Sequence, residues 1–111
     1  MNYERELLKG STDSLLLSLI NSQPMYGYQI IKEIDKRSQG YFQFKEGTLY
    51  PALHRLEKAG LVQGKWQRLR SGQERRYYYI TPKGQEALSQ RLVVWKHFST
   101  AVALIMQPAT G

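Results

Sequence analysis

The sequence predicts a mainly α-helical fold that carries one small β-hairpin. Three observations predict it. Apolar residues recur at helical spacing in the segments 11–22, 27–38, 46–60 and 82–106. Between Leu61 and Ile80 the period falls to two on either side of a glycine-containing turn. The chain has 111 residues, enough for one core and too few for two.

Hydrophobic residues make up 41% of the chain and charged residues 23%, the composition of a globular domain. No apolar run approaches the ~18 residues that a membrane span requires, and no basic-then-apolar leader is visible, so a soluble cytoplasmic protein is expected. The absence of cysteine excludes disulfides, thiolate zinc and cysteine nucleophiles. With His54 and His97 as the only histidines, no metal site and no cofactor is expected. The net charge of +7 is unevenly placed. Residues 1–60 hold eight Lys and Arg against seven Asp and Glu, whereas residues 61–111 hold eight against two. Clustered cations of this kind suit an anionic polymer, from whose phosphates they release counterions.

Residues 1–10 contain Tyr3, Leu7 and Leu8 and predict a frayed arm or a short helix. Ser11 or Thr12 then caps a helix through Leu15, Leu16, Leu17, Leu19 and Ile20. Apolar on most of its circumference, it is either a central core helix or a helix with one side, including Leu15 and Leu19, against a second subunit. Gln23-Pro24-Met25 breaks the chain, and Tyr26-Gly27-Tyr28 opens a helix to about Ser38 whose buried side is Tyr28, Ile31 and Ile34, with Ile30 at the edge. Gln39-Gly40 ends it. Tyr41, Phe42 and Phe44 form an aromatic turn that belongs to the core.

The stretch from Glu46 to Val62 organises the rest. Leu49, Ala52, Leu53 and Leu56 stand at i, i+3, i+4 and i+7, one apolar stripe. The opposite face carries Thr48, Tyr50, Pro51, His54, Arg55 and Lys58. Pro51 is expected in the first turn, where a missing N–H costs little, and Gly60 is the stop signal. Two helices joined by a turn, the second with a basic outer face, make a helix-turn-helix. In the hairpin that follows, Arg70-Ser71-Gly72-Gln73 is the turn, and the flanks carry Lys65, Arg68, Arg75 and Arg76. Tyr78 and Ile80 share a face and belong to the core. A cationic hairpin in this place is a wing, which gives a winged helix-turn-helix over residues 1–81.

Thr81 and Pro82 mark the cap and first position of a last helix over 82–107, about 37 Å long if it reaches Met106. Leu88, Leu92, Trp95, Phe98, Val102 and Ile105 follow one another at steps of three or four, a coiled-coil-like seam. So long a stripe overhangs a domain of this size, and the excess is expected to meet its copy in a homodimer. Residues 108–111 are expected to form a flexible tail.

The ordered series LKG, YGYQI, GTLYPALHRLEKAGL, RRYYYIT and PKG resembles the PadR-type transcriptional regulators of bacteria, from residue 8 to about 84. The single long helix after it resembles the short-tailed branch of that family. The resemblance implies a winged-helix homodimer that represses transcription from an inverted-repeat operator and is released on ligand binding, a small aromatic or multidrug molecule being the candidate, or by another signal. It places Thr48, Tyr50 and Pro51 on the recognition helix, Tyr26 and Gly27 where the preceding helix approaches phosphates, and Arg75 and Arg76 on the wing. Trp95 takes the position of a tryptophan that lines an apolar pore across the dimer of multidrug-sensing members; dimer packing is the alternative role.

From the residues themselves, Arg55 is the better candidate than His54 for a guanine or phosphate contact. Lys45, Lys58 and Lys65 are phosphate contacts or solvated charges, and Arg70 in the hairpin turn is a further DNA-binding candidate. Neither histidine has a partner at motif spacing and no phosphate-binding glycine loop exists, so an enzyme is not expected. The competing class is a winged-helix module that binds protein or RNA.

Overall fold

The structure is a computed structural model that describes residues 3–107; the expected tail over 108–111 and the first two residues of the amino-terminal arm lie outside the described residues. Five helices and three strands follow one another as α1 (Tyr3–Lys9), α2 (Thr12–Ser22), β1 (Met25–Tyr26), α3 (Gly27–Arg37), α4 (Glu46–Lys58), β2 (Val62–Arg68), β3 (Glu74–Ile80) and α5 (Pro82–Ile105). This is the mainly helical winged fold that the pattern of periods predicts.

The core forms where α2, α3 and α4 meet the inner face of the sheet. Leu16, Leu17 and Ile20 of α2, Ile30 and Ile34 of α3, and Leu49, Ala52, Leu53 and Leu56 of α4 are its centre. Met25, Phe44, Val62, Tyr78 and Leu88 close it. Burying a Leu or Ile side chain stabilises by roughly 1.5–3 kcal/mol, so the four seam residues of α4 hold that helix in one rotational setting.

The sheet runs β1-β3-β2, antiparallel throughout. Met25 and Tyr26 pair with Tyr78 and Tyr77, and Val62 to Arg68 pair with Ile80 to Glu74 in continuous register. β1 is an addition to the expected hairpin: Met25, read as part of a chain break, and Tyr26, read as the opening of a helix, form two residues of strand. Beyond the Tyr26–Tyr77 pair, β2 and β3 continue as a two-stranded ribbon.

Local structure departs from expectation at four points. Neither Ser11 nor Thr12 caps α2 with its side chain; their hydroxyls donate back to Leu7 O and Leu8 O (3.3 and 3.0 Å) and thereby tie α2 to α1. Tyr28 is exposed, with the Lys32 Nζ 5.1 Å from its ring centre, and Ile30 is fully buried, the reverse of the expected order, because α3 packs with Ile30 and Ile34 toward the core. Of the aromatic turn, Phe44 is buried and Phe42 half-buried, while Tyr41 is exposed. Pro51 is the sixth residue of α4 rather than a first-turn residue, so the Gly47 carbonyl lacks its i+4 donor. The apolar seam outweighs that loss.

The end of α4 is a complete stop. Gly60 takes φ +78°, its N–H donates to Glu57 O, and the Leu61 N–H donates to Leu56 O, a Schellman motif. The same junction receives α5. Thr81 Oγ1 donates to Gly60 O (2.6 Å) and accepts from the Gly84 N–H (3.0 Å), and Lys83 Nζ donates to Ala59 O (3.0 Å). From that anchor α5 runs outward and stretches the molecule to 61 × 28 × 25 Å.

Burial pushes the Tyr78 phenol above its ordinary value of 10.0, against the opposing pull of the adjacent Arg76 guanidinium. A phenol whose ionisation is harder in the folded than in the unfolded chain stabilises fully below pH 10 and loses that contribution as pH rises beyond it. Thermal unfolding followed across pH 9–11.5 should show a steeper alkaline decline in the wild type than in Tyr78→Phe; parallel curves would contradict this.

Candidate nucleic-acid interface

The seam of α4 settles what its other side presents. With Leu49, Ala52, Leu53 and Leu56 turned inward, the residues Thr48, Tyr50, Pro51, His54, Arg55 and Lys58 are exposed, and Lys45 stands exposed at the amino-terminal cap position. Thr48 is the third residue of the helix and not its cap. The exposed carboxylate of Glu46 lies in the first turn, favourably placed toward the positive helix end. Arg55 is exposed and makes one ion pair, to Asp13 of α2 at 3.4 Å. Pairs this exposed contribute on the order of 0–1 kcal/mol, so Arg55 can exchange Asp13 for another anion at little cost.

Three elements close around one cleft of about 380 Å³. Tyr26 and Gly27, the cap and first residue of α3, Tyr50 from α4, and Trp66, Arg75, Arg76 and Tyr78 from the hairpin line it, with Glu74 at its rim. A Cβ on Gly27 would overlap the Tyr50 hydroxyl, so the glycine is what lets the Tyr50 ring lie against α3. Five of the residues singled out from sequence as DNA-binding (Tyr26, Gly27, Tyr50, Arg75 and Arg76) thus meet in one place. Tyr26 packs edge-on to Tyr77 at 5.4 Å, and the Arg75 guanidinium lies 4.3 Å above the Tyr26 ring.

The hairpin cations differ in their company. Arg70 is exposed in the turn, where the Gly72 N–H donates to Leu69 O and the Leu69 N–H to Gln73 O. Lys65 is exposed, with its Nζ 5.2 Å from the Tyr79 ring. Arg76 is half-buried and donates to Glu57 Oε2 at 2.7 Å. Glu57 and Trp66 were not among the residues expected here. The available signal for Glu57 was an acid on a helix face otherwise basic, seven positions from Gly64 across the stop, and a glycine inside an alternating strand marks a close approach.

Of the residues expected between copies, Leu19 and Leu88 are 6% and 4% exposed. That is a correction: both are packed inside the chain's own core, because α5 begins by lying across α2. Leu15 is half-buried against the same core. Further along α5, Trp95, Phe98 and Ile105 are 57%, 58% and 86% exposed, Leu92 is half uncovered and Val102 half-buried. The Trp95 and Phe98 rings stack at 6.2 Å. Among the described residues there is no group of three or more His, Asp or Glu that could hold a metal ion, and no helix long and apolar enough to cross a membrane.

Residues 16–90 match the transcriptional regulator PadR-like family. An uncharacterised protein of Lysinibacillus sphaericus is 35% identical over 102 residues, which span 92% of this chain and 94% of that protein. The crystal structure of a PadR-like transcriptional regulator from Bacillus cereus superposes with a TM-score of 0.82 at 32% identity, over 93% of this chain and 98% of that one. Bacillus subtilis PadR, solved in complex with operator DNA, superposes with a TM-score of 0.67 at 21% identity, over 74% of this chain and 47% of that one; this is a likeness of fold. Proteins of the family are transcriptional regulators and not enzymes. With three-quarters of the matched span forming the helices and hairpin just described, the chain belongs to the PadR-like family of transcriptional regulators.

Proposed function

We propose that the chain binds duplex DNA as a homodimer and represses transcription from an inverted-repeat operator. The observation that carries this reading is the outward face of α4, with Tyr50, His54 and Arg55 exposed beside a cationic hairpin, in the fold that Bacillus subtilis PadR shares in its complex with operator DNA. In this reading α4 enters the major groove. Thr48, Tyr50, Pro51, His54 and Arg55 reach base edges or phosphates, and Tyr26 and Gly27 approach the backbone from the start of α3. Lys45, Lys65, Arg70 and Arg75 supply further positive charge along the phosphates. Two copies would set their α4 helices about 34 Å apart, in successive grooves.

The apolar ridge of α5 supports the dimer. Leu92, Trp95, Phe98 and Ile105 are too large and too contiguous to be left in water, and an identical ridge is their natural cover. The stacked Trp95 and Phe98 rings would face the corresponding pair across such a dimer, a fit for a flat aromatic effector whose binding releases the operator.

A mobility-shift titration of the protein's own promoter across a salt series tests the DNA reading. Each phosphate contact contributes about 0.9 to the slope of log affinity against log salt, so Arg55→Ala with Arg70→Ala should weaken binding and reduce the slope by about two. Failure of the wild type to bind duplex in preference to single-stranded RNA at low salt would overturn the reading. In sedimentation at micromolar concentration the wild type should run as a dimer and Phe98→Asp as a monomer; a monomeric wild type would refute the role given to α5. Planar cationic drugs should quench Trp95 emission in a Trp66→Phe background, and an unchanged spectrum at saturating drug would remove the effector from the proposal.

A further inference from the structure

We infer that Glu57 is a positioning residue that sets the angle between the hairpin and α4, and that Arg76 acts on DNA through this carboxylate rather than by touching phosphate. The inference rests on the proposed DNA-binding reading, and it begins from a mechanical weakness. β1 is two residues long and supports β3 only at Tyr77 and Tyr78. Beyond that level the hairpin is a two-stranded ribbon, a structure that is marginally stable alone and free to twist. Its cations can meet a duplex in register with α4 only if something fixes the ribbon.

One oxygen does so from α4. Glu57 Oε2 accepts from the Gly64 N–H at 3.1 Å and from Arg76 Nη2 at 2.7 Å. Gly64 belongs to β2 and Arg76 to β3, so a single carboxylate grips the backbone of one strand and the side chain of the other. The register explains how both arrive there. Gly64 pairs with Tyr78 and Trp66 with Arg76, which puts these four residues on one face of the ribbon, toward α4. The Arg76 guanidinium lies 5.8 Å from the Trp66 ring centre and 5.9 Å from that of Tyr78. It crosses the ribbon in the space that the missing Gly64 side chain leaves, since a Cβ there would overlap it. Bonds to a charged carboxylate are shorter and stronger than neutral ones, and this pair is only about a third exposed. Arg76 is therefore committed to Glu57 in a way that Arg55 is not committed to Asp13.

The sign of a mutational effect separates positioning from direct contact. If Arg76 contacted phosphate, Glu57→Ala would remove a repulsive charge, release the guanidinium and tighten DNA binding. Positioning requires the opposite. Glu57→Ala should weaken promoter binding at least tenfold with an unchanged salt slope, and Arg76→Gln, which leaves α4 untouched, should weaken it by a similar factor. The double variant should be no worse than either single one, the signature of two residues acting as one unit. Amide exchange resolved by NMR gives a readout without DNA: Gly64 should exchange faster in Glu57→Ala while the amides of the α4 seam keep their wild-type rates. Tighter binding by Glu57→Ala, or a salt slope reduced by about one in Arg76→Gln, would overturn the inference. Were the wild type to ignore duplex DNA, the DNA reading would fall, and unaltered Gly64 exchange would separately dispose of the grip on the ribbon.

Discussion

The whole arrangement depends on the burial of one face of α4. Four apolar side chains at helical spacing enter a core built by α2, α3 and the sheet, and no other rotation of the helix buries as much. That requirement is strong enough to carry a proline in the sixth position and a glycine in the second, either of which would discourage a helix standing by itself. It also determines, without further interaction, that the polar and basic residues point away from the protein. The exposed face is a consequence of the core and needs no separate cause.

A second constraint acts at the carboxyl end of that helix. Within five residues the chain stops α4 with a left-handed glycine, turns into β2, and takes back the start of α5 through Thr81 and Lys83. The orphan carbonyls of a helix end are usually satisfied by water or by the chain just beyond them. Here Lys83, more than twenty residues later, satisfies the one at Ala59, and Thr81 holds the Gly60 carbonyl just beyond it. Helix, hairpin and long helix therefore share one junction, and the relative placement of all three is decided there.

Much of this was legible in the sequence because it follows from local periodicity. The extent of α4, its buried stripe, the Thr81–Pro82 start of α5 and the hairpin with its turn are each written in neighbouring residues. What was not legible depends on distant partners. β1 is two residues long, has no period of its own, and exists only because β3 lies beside it. Tyr28 and Ile30 are both apolar enough for a core, and the choice between them was made by the angle at which α3 packs. Leu19 and Leu88 looked like surface for a second copy because sequence alone does not reveal that α5 first crosses α2. The same holds at the candidate site. Spacing gave the outward positions of α4, whereas the difference between Arg55, loosely paired, and Arg76, held by Glu57, is a tertiary fact.

Past Leu88, α5 draws little from the rest of the chain. Its outer half includes Val93, Val94, Thr100, Val102 and Ile105, β-branched residues that lose rotamer freedom in a helix and favour it weakly. A lone helix of such composition is marginal in water. In the proposed dimer that order would be lent by the second copy. Any cover that binds the helical form and not the frayed one stabilises that form by mass action, so the rigidity of this arm should depend on how much of its cover is present in solution.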